Sequence, residues 1–258
     1  MAKPEIGVSM LYCLSKPFKT MTQEIPKTGA RYVEIVDDGL HELNKYRVSM
    51  LKDIGESYNL KYSVHAPFAG TNIALHSRPL LNATLKTLKK SIGNAAELNC
   101  HLWIFHPGMN TGISAFYPGM DWIRNLQSTR SLLEVARDYG VEISVENGLN
   151  FFLMHNVEDF KKFYGDIEEN IGLTLDTGHA NINGQLNNFL IEIPDKIVHI
   201  HAHDNIGKTD EHLGIGYGNI DWQNVAKLLR KAGFNKVIMV EALEHVEESI
   251  QRLKQLFA

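Results

Sequence analysis

Short apolar runs alternate with longer amphipathic segments along almost the whole chain. Eight of the short runs are predicted to be β-strands, because each is brief and bounded by polar, Gly or Pro residues. The longer segments space their apolar residues three and four apart, as a helix with one buried face requires. The strands are predicted at 5–10, 30–36, 60–66, 101–106, 141–147, 171–176, 196–204 and 235–242.

A helix is predicted after each strand, at 20–29, 41–58, 79–98, 121–139, 157–164, 185–190, 221–231 and 245–257. Each strand–helix module is about thirty residues long, the size of a βαβ unit. Eight such modules predict an α/β fold, a single closed (β/α)8 TIM barrel that occupies residues 1–258 as one domain. A doubly wound open sheet is the alternative.

The composition is that of a globular protein, with 44% hydrophobic and 22% charged residues in 258. The net charge of −4 and the lack of a Lys/Arg run give no support to nucleic-acid binding. Cys13 and Cys100 form no CxxC pair, so a reducing cytoplasm is expected. Neither a signal peptide nor a membrane span is expected, and the oligomeric state, including a homo-oligomer, is left open.

The ends of the predicted strands carry the chemistry. The stretch LTLDTGHAN at 173–181 is an apolar strand that stops at Asp176 and continues to His179. Taken alone, Asp176 is equally a turn cap and His179 a hydrogen-bonded loop residue. The pattern recurs at other strands, however, and in a (β/α)8 barrel these ends meet at one catalytic face. Acids and histidines near strand ends are Glu34, His65, His106, Glu146, Asp176, His179, His199, His201, His203, Asp204, Asp210, His212 and Glu241.

Carboxylates and imidazoles gathered without arginine partners are costly to bury. A divalent cation removes this cost, because it binds anionic oxygens and neutral nitrogens together. A ligand set without sulfur suits zinc, manganese and related ions. The period of two along a strand places His199, His201 and His203 on one face, so not all three need to reach an ion. Glu34 has a second interpretation, as the ion-pair partner of a lysine.

Short motifs from VEI at 33–35 to VEA at 240–242 resemble those of the xylose isomerase-like barrel superfamily, which includes sugar isomerases, ketose epimerases and endonuclease IV. Each motif is modest, but the set is specific for the superfamily. The motifs between these two are SVHAP (63–67), FHPG (105–108), VEN (145–147), LDTGHAN (175–181), HIHAHDN (199–205) and DEHLGIGYG (210–218).

The resemblance implies a set of metal ligands. The core shared by the epimerases and endonuclease IV corresponds to Glu146, Asp176, His201 and Glu241. The further ligands of the three-zinc cluster of endonuclease IV correspond to His65, His106, His179, Asp210 and His212. All nine positions carry the expected residue type, so the site is compatible with one, two or three zinc or manganese ions.

The loops separate the two branches of the superfamily. After Glu146 and Asn147 this chain reads GLNFFLMHN, where the endonuclease pattern has a Gly-rich ThrAlaGlyGln-type loop. Its aromatic Gly-Tyr-Asp loop is replaced by Asn-Ile-Asn-Gly at 181–184, and the arginine of its DxH motif by Glu211. The stretch HAHDN…DEHLGIGYGNIDW is more similar to the sugar isomerase/epimerase branch.

We therefore predict a divalent-metal-dependent isomerase or epimerase of a small sugar or sugar phosphate. By the resemblance, Glu146 and Glu241 bind the metal and move a proton beside a carbonyl, and His179 holds a substrate oxygen. Two other functions stay open: zinc-dependent hydrolysis of abasic DNA, as in endonuclease IV, and a non-catalytic metal-binding barrel. Residues predicted for the substrate wall, each with packing as the alternative, are Glu34, Phe68, Trp103 and Phe116.

Overall fold

The computed structural model, which describes residues 3–258, contains a barrel of eight parallel strands that pair in chain order, with β8 closing on β1. This confirms the predicted (β/α)8 TIM barrel, and each predicted strand overlaps an observed one. The strands are β1 Glu5–Ser9, β2 Tyr32–Val36, β3 Lys61–His65, β4 Leu102–Phe105, β5 Ile143–Glu146, β6 Gly172–Asp176, β7 Ile197–Ala202 and β8 Val237–Val240.

Helices surround the barrel, and between residues 3 and 258 none is both long and apolar enough to cross a bilayer. One of them, α6, follows β6 directly where the sequence predicts a loop, because its six residues show no helical repeat of apolar positions. The α-helices of the described chain are α1 Phe18–Glu24, α2 Lys45–Tyr58, α3 Arg78–Glu97, α4 Met120–Tyr139, α5 Val157–Ile167, α6 Thr177–Ile182, α7 Leu186–Glu192, α8 Trp222–Lys231 and α9 Val246–Leu256.

The helices bury one face against the barrel, as α3 illustrates. Leu81, Leu88 and Ile92 of α3 are buried, and Leu85 and Ala96 pack partly buried against the same core. The observed face is therefore the one that the three- and four-residue spacing predicts. Burial of each large aliphatic side chain contributes about 2 kcal/mol, so such faces hold the helices on the barrel.

Parallel pairing brings the carboxyl ends of the strands to one mouth. Asp176 pairs in register with His201, and Val36 with His65. Asn147, just beyond β5, ties that strand to β6. Its side chain accepts a hydrogen bond from the backbone N–H of Asp176 at 2.7 Å and donates one to the carbonyl of Asp176 at 3.0 Å. The polar ends of β5, β6 and β7 are thereby held side by side.

Asp204 organises the long loop between β7 and α8. A Cβ on Gly218 would come within 2.3 Å of Asp204 Oδ1, so glycine is required for the loop to pass so close. The loop is thus fixed in one path, and it carries Asp210 and His212 to the mouth. Four donors reach the Asp204 carboxylate: the backbone N–H groups of Asn205, Gly216 and Ile220 at 3.0, 2.9 and 3.2 Å, and the indole N–H of Trp222 at 2.9 Å.

Candidate metal centre and substrate cavity

Glu146, Asp176, His201 and Glu241 meet at the mouth of the barrel. Each offers one ligand atom, and these atoms all lie within 4.8 Å of one another. All four residues are buried. They come from the ends of β5, β6, β7 and β8, which are neighbours in the barrel. The structure thus brings together the four residues predicted as the core of a metal site, and their role as ligands stays a prediction.

His65 and His106 lie on one side of this core. Their Nε2 atoms are each 3.3 Å from Oε2 of Glu146, and their rings meet edge to face at 5.0 Å. Burial lowers the pKa of His106, although the charge of Glu146 opposes that shift. A neutral imidazole beside a carboxylate is a ready ligand for a cation. The predicted grouping of these histidines with Glu146 is therefore present.

His179, Asp210 and His212 form a second group beside the core. The Nε2 atoms of His179 and His212 lie 3.3 and 3.2 Å from Oδ2 of Asp210. Burial would lower the pKa of His179, but the charges of Asp176 and Asp210 raise it to about 10. Burial likewise opposes protonation of His212, and the hydrogen bond to Asp210 raises its pKa to about 9. The carboxylates therefore hold protons on both rings.

The pKa values of the two core glutamates shift in opposite directions. Burial alone would raise the pKa of Glu146, but the charges of His201 and His106 hold it well below its usual range. Burial raises the pKa of Glu241, and here it prevails over the charges of His201 and His212. The carboxylates of the mouth thus depend on protonated imidazoles for charge balance. A divalent cation can take over that role, and its binding would release protons.

The donor set fits such a cation. Nδ1 of His201 is buried without a hydrogen-bond partner, 3.2 Å from Oε1 of Glu146 and 3.4 Å from Oε2 of Glu241. A buried nitrogen without a partner, facing two carboxylates, is the arrangement that a shared ion would satisfy. Carboxylate and imidazole donors without a thiolate suit zinc or manganese.

A cavity of about 350 Å³ opens above the cluster, within the size range of small-molecule sites. No Lys or Arg is among the residues that line it. A larger depression, about 890 Å³, lies at the opposite end of the barrel and contains none of the clustered acids, so the chemistry favours the smaller one. The apolar wall of the smaller cavity consists of Leu11, Val36, Phe68, Met109, Leu149, Phe151 and Phe152.

The four residues predicted for the substrate wall have different fates. Phe68 lines the cavity. Glu34 is fully buried below the cluster and does not reach the cavity. Trp103 is also fully buried, because strand alternation turns it outward, where its indole N–H donates to Ser91 of α3 at 3.0 Å. Phe116 is 79% exposed in the loop before α4 and does not line the cavity. The last three positions therefore correct the prediction of a substrate wall.

Three residues at the mouth are absent from the predicted site. Nε2 of His203 lies 3.1 Å from both carboxylate oxygens of Asp176. Gly178 makes room for that ring, since a Cβ there would come within 2.0 Å of it. Phe151 and Phe152 belong to the apolar wall. The sequence does show the alternate histidines of HIHAH and an apolar run inside the loop after β5. Neither pattern tells which way a side chain points, because that depends on the path of the backbone.

Comparison with known proteins gives matches over most of the chain. The model of the xylose isomerase-like TIM barrel family matches residues 23–256. A crystal structure titled D-tagatose 3-epimerase-like protein superposes with a TM-score of 0.91 at 31% identity, covering 98% of this chain and 96% of that one. An uncharacterised protein of Methanocaldococcus jannaschii is 32% identical over 92% of this chain and 83% of its own. "Probable endonuclease 4" of Aquifex aeolicus is 28% identical over 67% of this chain and 66% of its own.

Proposed function

The chain belongs to the xylose isomerase-like TIM barrel family, and from that premise we propose that it is a divalent-metal-dependent sugar isomerase or epimerase. The observation that carries the proposal is the convergence of Glu146, Asp176, His201 and Glu241 beside a cavity that Glu146 and Glu241 line on one side and apolar side chains on the other. The similarity to a D-tagatose 3-epimerase-like structure supports the reaction class. Metal dependence rests on the donor set.

The chemistry is proton transfer beside a carbonyl. A divalent ion held by the four core residues would polarise the carbonyl oxygen and the hydroxyl beside it, which acidifies the C–H bond between them. Glu146 and Glu241 both border the cavity, so one carboxylate can remove the proton and the other can supply one. His179 also lines the cavity and would hold a substrate oxygen.

The lining of the cavity favours an uncharged sugar over a sugar phosphate. Phosphate sites in proteins use arginine, lysine or the N–H groups of a helix terminus. No Lys or Arg lines this cavity, and its lining includes the carboxyl groups of Glu146, Asp210 and Glu241. The apolar wall instead offers contact to the C–H face of a sugar ring or chain. An unphosphorylated ketose or aldose is therefore the substrate class that we propose.

The test is deuterium exchange in a panel of ketoses and aldoses, with the protein loaded with zinc or manganese in D₂O. We expect deuterium at the carbon beside the carbonyl of at least one sugar, with conversion to its epimer or isomer, observed by NMR. Glu146→Gln should give neither signal under the same conditions. If no sugar exchanges at stoichiometric protein with either metal, the proposal is wrong.

A second candidate is phosphodiester hydrolysis at abasic DNA. It is favoured by the two outer groups, His65 and His106 on Glu146 and His179 and His212 on Asp210, which offer ligands for more than one ion. The lack of Lys and Arg in the cavity lining argues against it, because proteins bind DNA backbones mainly through these residues. An abasic duplex incubated with the zinc-loaded protein decides: a nick that a chelator abolishes supports hydrolysis, and an intact duplex excludes it.

A further inference from the structure

Three histidines of the mouth share one orientation. In each, Nδ1 lies on a backbone carbonyl oxygen, which leaves Nε2 facing a carboxylate. A backbone carbonyl on one ring nitrogen fixes the orientation of the ring and turns the other nitrogen toward the cluster. The carbonyl contacts are 2.8 Å for His65 to Ala66, 2.9 Å for His179 to Asn147 and 2.8 Å for His212 to Glu241.

His201 has the reverse orientation. Its Nδ1 faces the cluster, 3.2 Å from Glu146 and 3.4 Å from Glu241. Its Nε2 points into the barrel, where it lies in hydrogen-bond contact with Oε2 of Glu34 at 3.3 Å and 3.1 Å from Oε1. The partner of His201 on the side away from the cluster is therefore a carboxylate and not a backbone carbonyl. Of the four histidines compared, His201 alone is also part of the four-residue core.

Glu34 has no other evident use. It is fully buried and does not line the cavity, so a substrate cannot touch it. Within residues 3–258 its ionic neighbours are His199, with Nε2 at 3.4 Å, and His201, and no Lys or Arg contacts it. Ser63 donates a hydrogen bond to its Oε2 at 2.9 Å, which fixes the carboxylate plane. Burying a carboxylate costs free energy, and the only charged groups of the described chain near Glu34 that can offset this cost are the imidazoles.

We propose that Glu34 is the positioning residue of the metal centre. It accepts the Nε2–H of His201 and so keeps the lone pair of Nδ1 directed at the space between Glu146 and Glu241. The inference rests on the proposed function, because it assumes that the core binds a divalent ion. It extends that function by assigning a role to a residue inside the barrel, one layer below the core.

The rival is a separate ion within the barrel. The ligand atoms of Glu34, His199 and His201 also lie within 4.8 Å of one another, and both ring nitrogens of His199 are buried without a hydrogen-bond partner. An ion there would occupy Nε2 of His201, which would then have no proton to donate to Glu34. The two arrangements differ in ion stoichiometry and in the protonation of His201, so one experiment separates them.

The experiment compares wild type with Glu34→Gln and uses Asp37→Asn as the matched control. Asp37 is a buried acid just after β2, and it accepts a hydrogen bond from the backbone of Leu43 away from the cluster. Zinc affinity is measured by competition with a chromophoric chelator, and bound zinc by mass spectrometry. The tautomer of His201 is read from ¹⁵N–¹H spectra of metal-free ¹⁵N-histidine protein at alkaline pH, where the imidazole is neutral, with the signal assigned by its loss in His201→Asn.

We expect Glu34→Gln to bind zinc about 10- to 100-fold more weakly at unchanged stoichiometry. The His201 signal should be the Nε2–H form in wild type and a mixture of forms in the variant, whereas Asp37→Asn should match wild type in both. Wild-type affinity and tautomer in a folded Glu34→Gln would overturn the inference alone. Loss of one zinc per chain with the remaining affinity intact would overturn it in favour of the rival. If the wild-type protein binds no divalent ion, the proposed function is wrong as well.

Discussion

Two buried carboxylates at the mouth of the barrel, Asp204 and Glu146, are equally inaccessible but have opposite neighbours. Asp204 receives four hydrogen bonds, three from backbone N–H groups and one from an indole. Glu146 lies within 3.3 Å of imidazole nitrogens from His65, His106 and His201. The donors of Asp204 are fixed and cannot leave. Those of Glu146 are titratable, and a cation can replace their protons.

The difference teaches that burial does not distinguish a structural acid from a site acid, whereas the identity of the donors does. An acid saturated by backbone donors stabilises one loop path and has no free lone pair for an ion. An acid surrounded by imidazoles keeps a function open, because protons and metal ions compete for the same positions. Substitutions at the two residues should therefore fail in different ways.

The largest effect is expected for Glu146→Gln. If Glu146 is both a ligand and a proton carrier, its loss should lower kcat/KM about 10⁴-fold on the best sugar of the panel. The amide keeps the volume of the side chain, so urea unfolding of the metal-free protein should change far less than for substitutions at Asp204. Wild-type turnover in this variant would exclude a catalytic role for Glu146.

The next effect is expected for Asp204→Asn, on stability. The NH₂ group of the new amide cannot accept hydrogen bonds, so two of the four donors lose their acceptor. These are the N–H groups of either Gly216 and Trp222 or Asn205 and Ile220. Two buried donors without partners cost about 4 kcal/mol, measured as the free energy of unfolding in urea. The folded fraction should still bind zinc with wild-type stoichiometry. Loss of zinc without loss of stability would reverse the assignment of the two acids.

The sequence predicts the features that local residues determine and misses those that depend on contacts between distant parts of the chain. The barrel and the strand ends are predictable because hydrophobic period and module length fix them locally. Asp204 and Glu146 look alike in sequence, since both come at the end of an apolar strand, and the donors that separate them come from residues 205–222. Trp103 is misplaced by sequence reasoning because the phase of strand alternation, inward or outward, is set by the barrel. Glu34 does point inward, but its depth below the mouth depends on the register between strands, which neighbours along the chain do not give.

Metal removal should sharpen the comparison. At an ion concentration of about 100 times Kd, a bound ion stabilises the fold by about 2.7 kcal/mol. A chelator should lower the free energy of unfolding of the wild type by this amount. Asp204→Asn should lose the same amount on chelation, because its ligands are intact, and Glu146→Gln should lose almost none. Equal chelator sensitivity in both variants would mean that the ion binds elsewhere.

The smallest effect extends the comparison to histidines, from the mouth to the opposite end of the barrel. Burial, aided by the charge of His199, lowers the pKa of His101 to about 4. The unfolded chain keeps a pKa of about 6.5, so it binds the proton first, and stability present above pH 6.5 is lost as the pH falls toward 4. By pH 5 the loss is about 2 kcal/mol. His101→Asn should lack this part of the acid slope in urea unfolding of metal-free protein, while His245→Asn, at an exposed position, should keep it. Identical acid slopes in both variants would show that His101 titrates as an ordinary histidine. Burial at this end of the barrel would then not shift the pKa of an imidazole, in contrast to the carboxylates at the mouth.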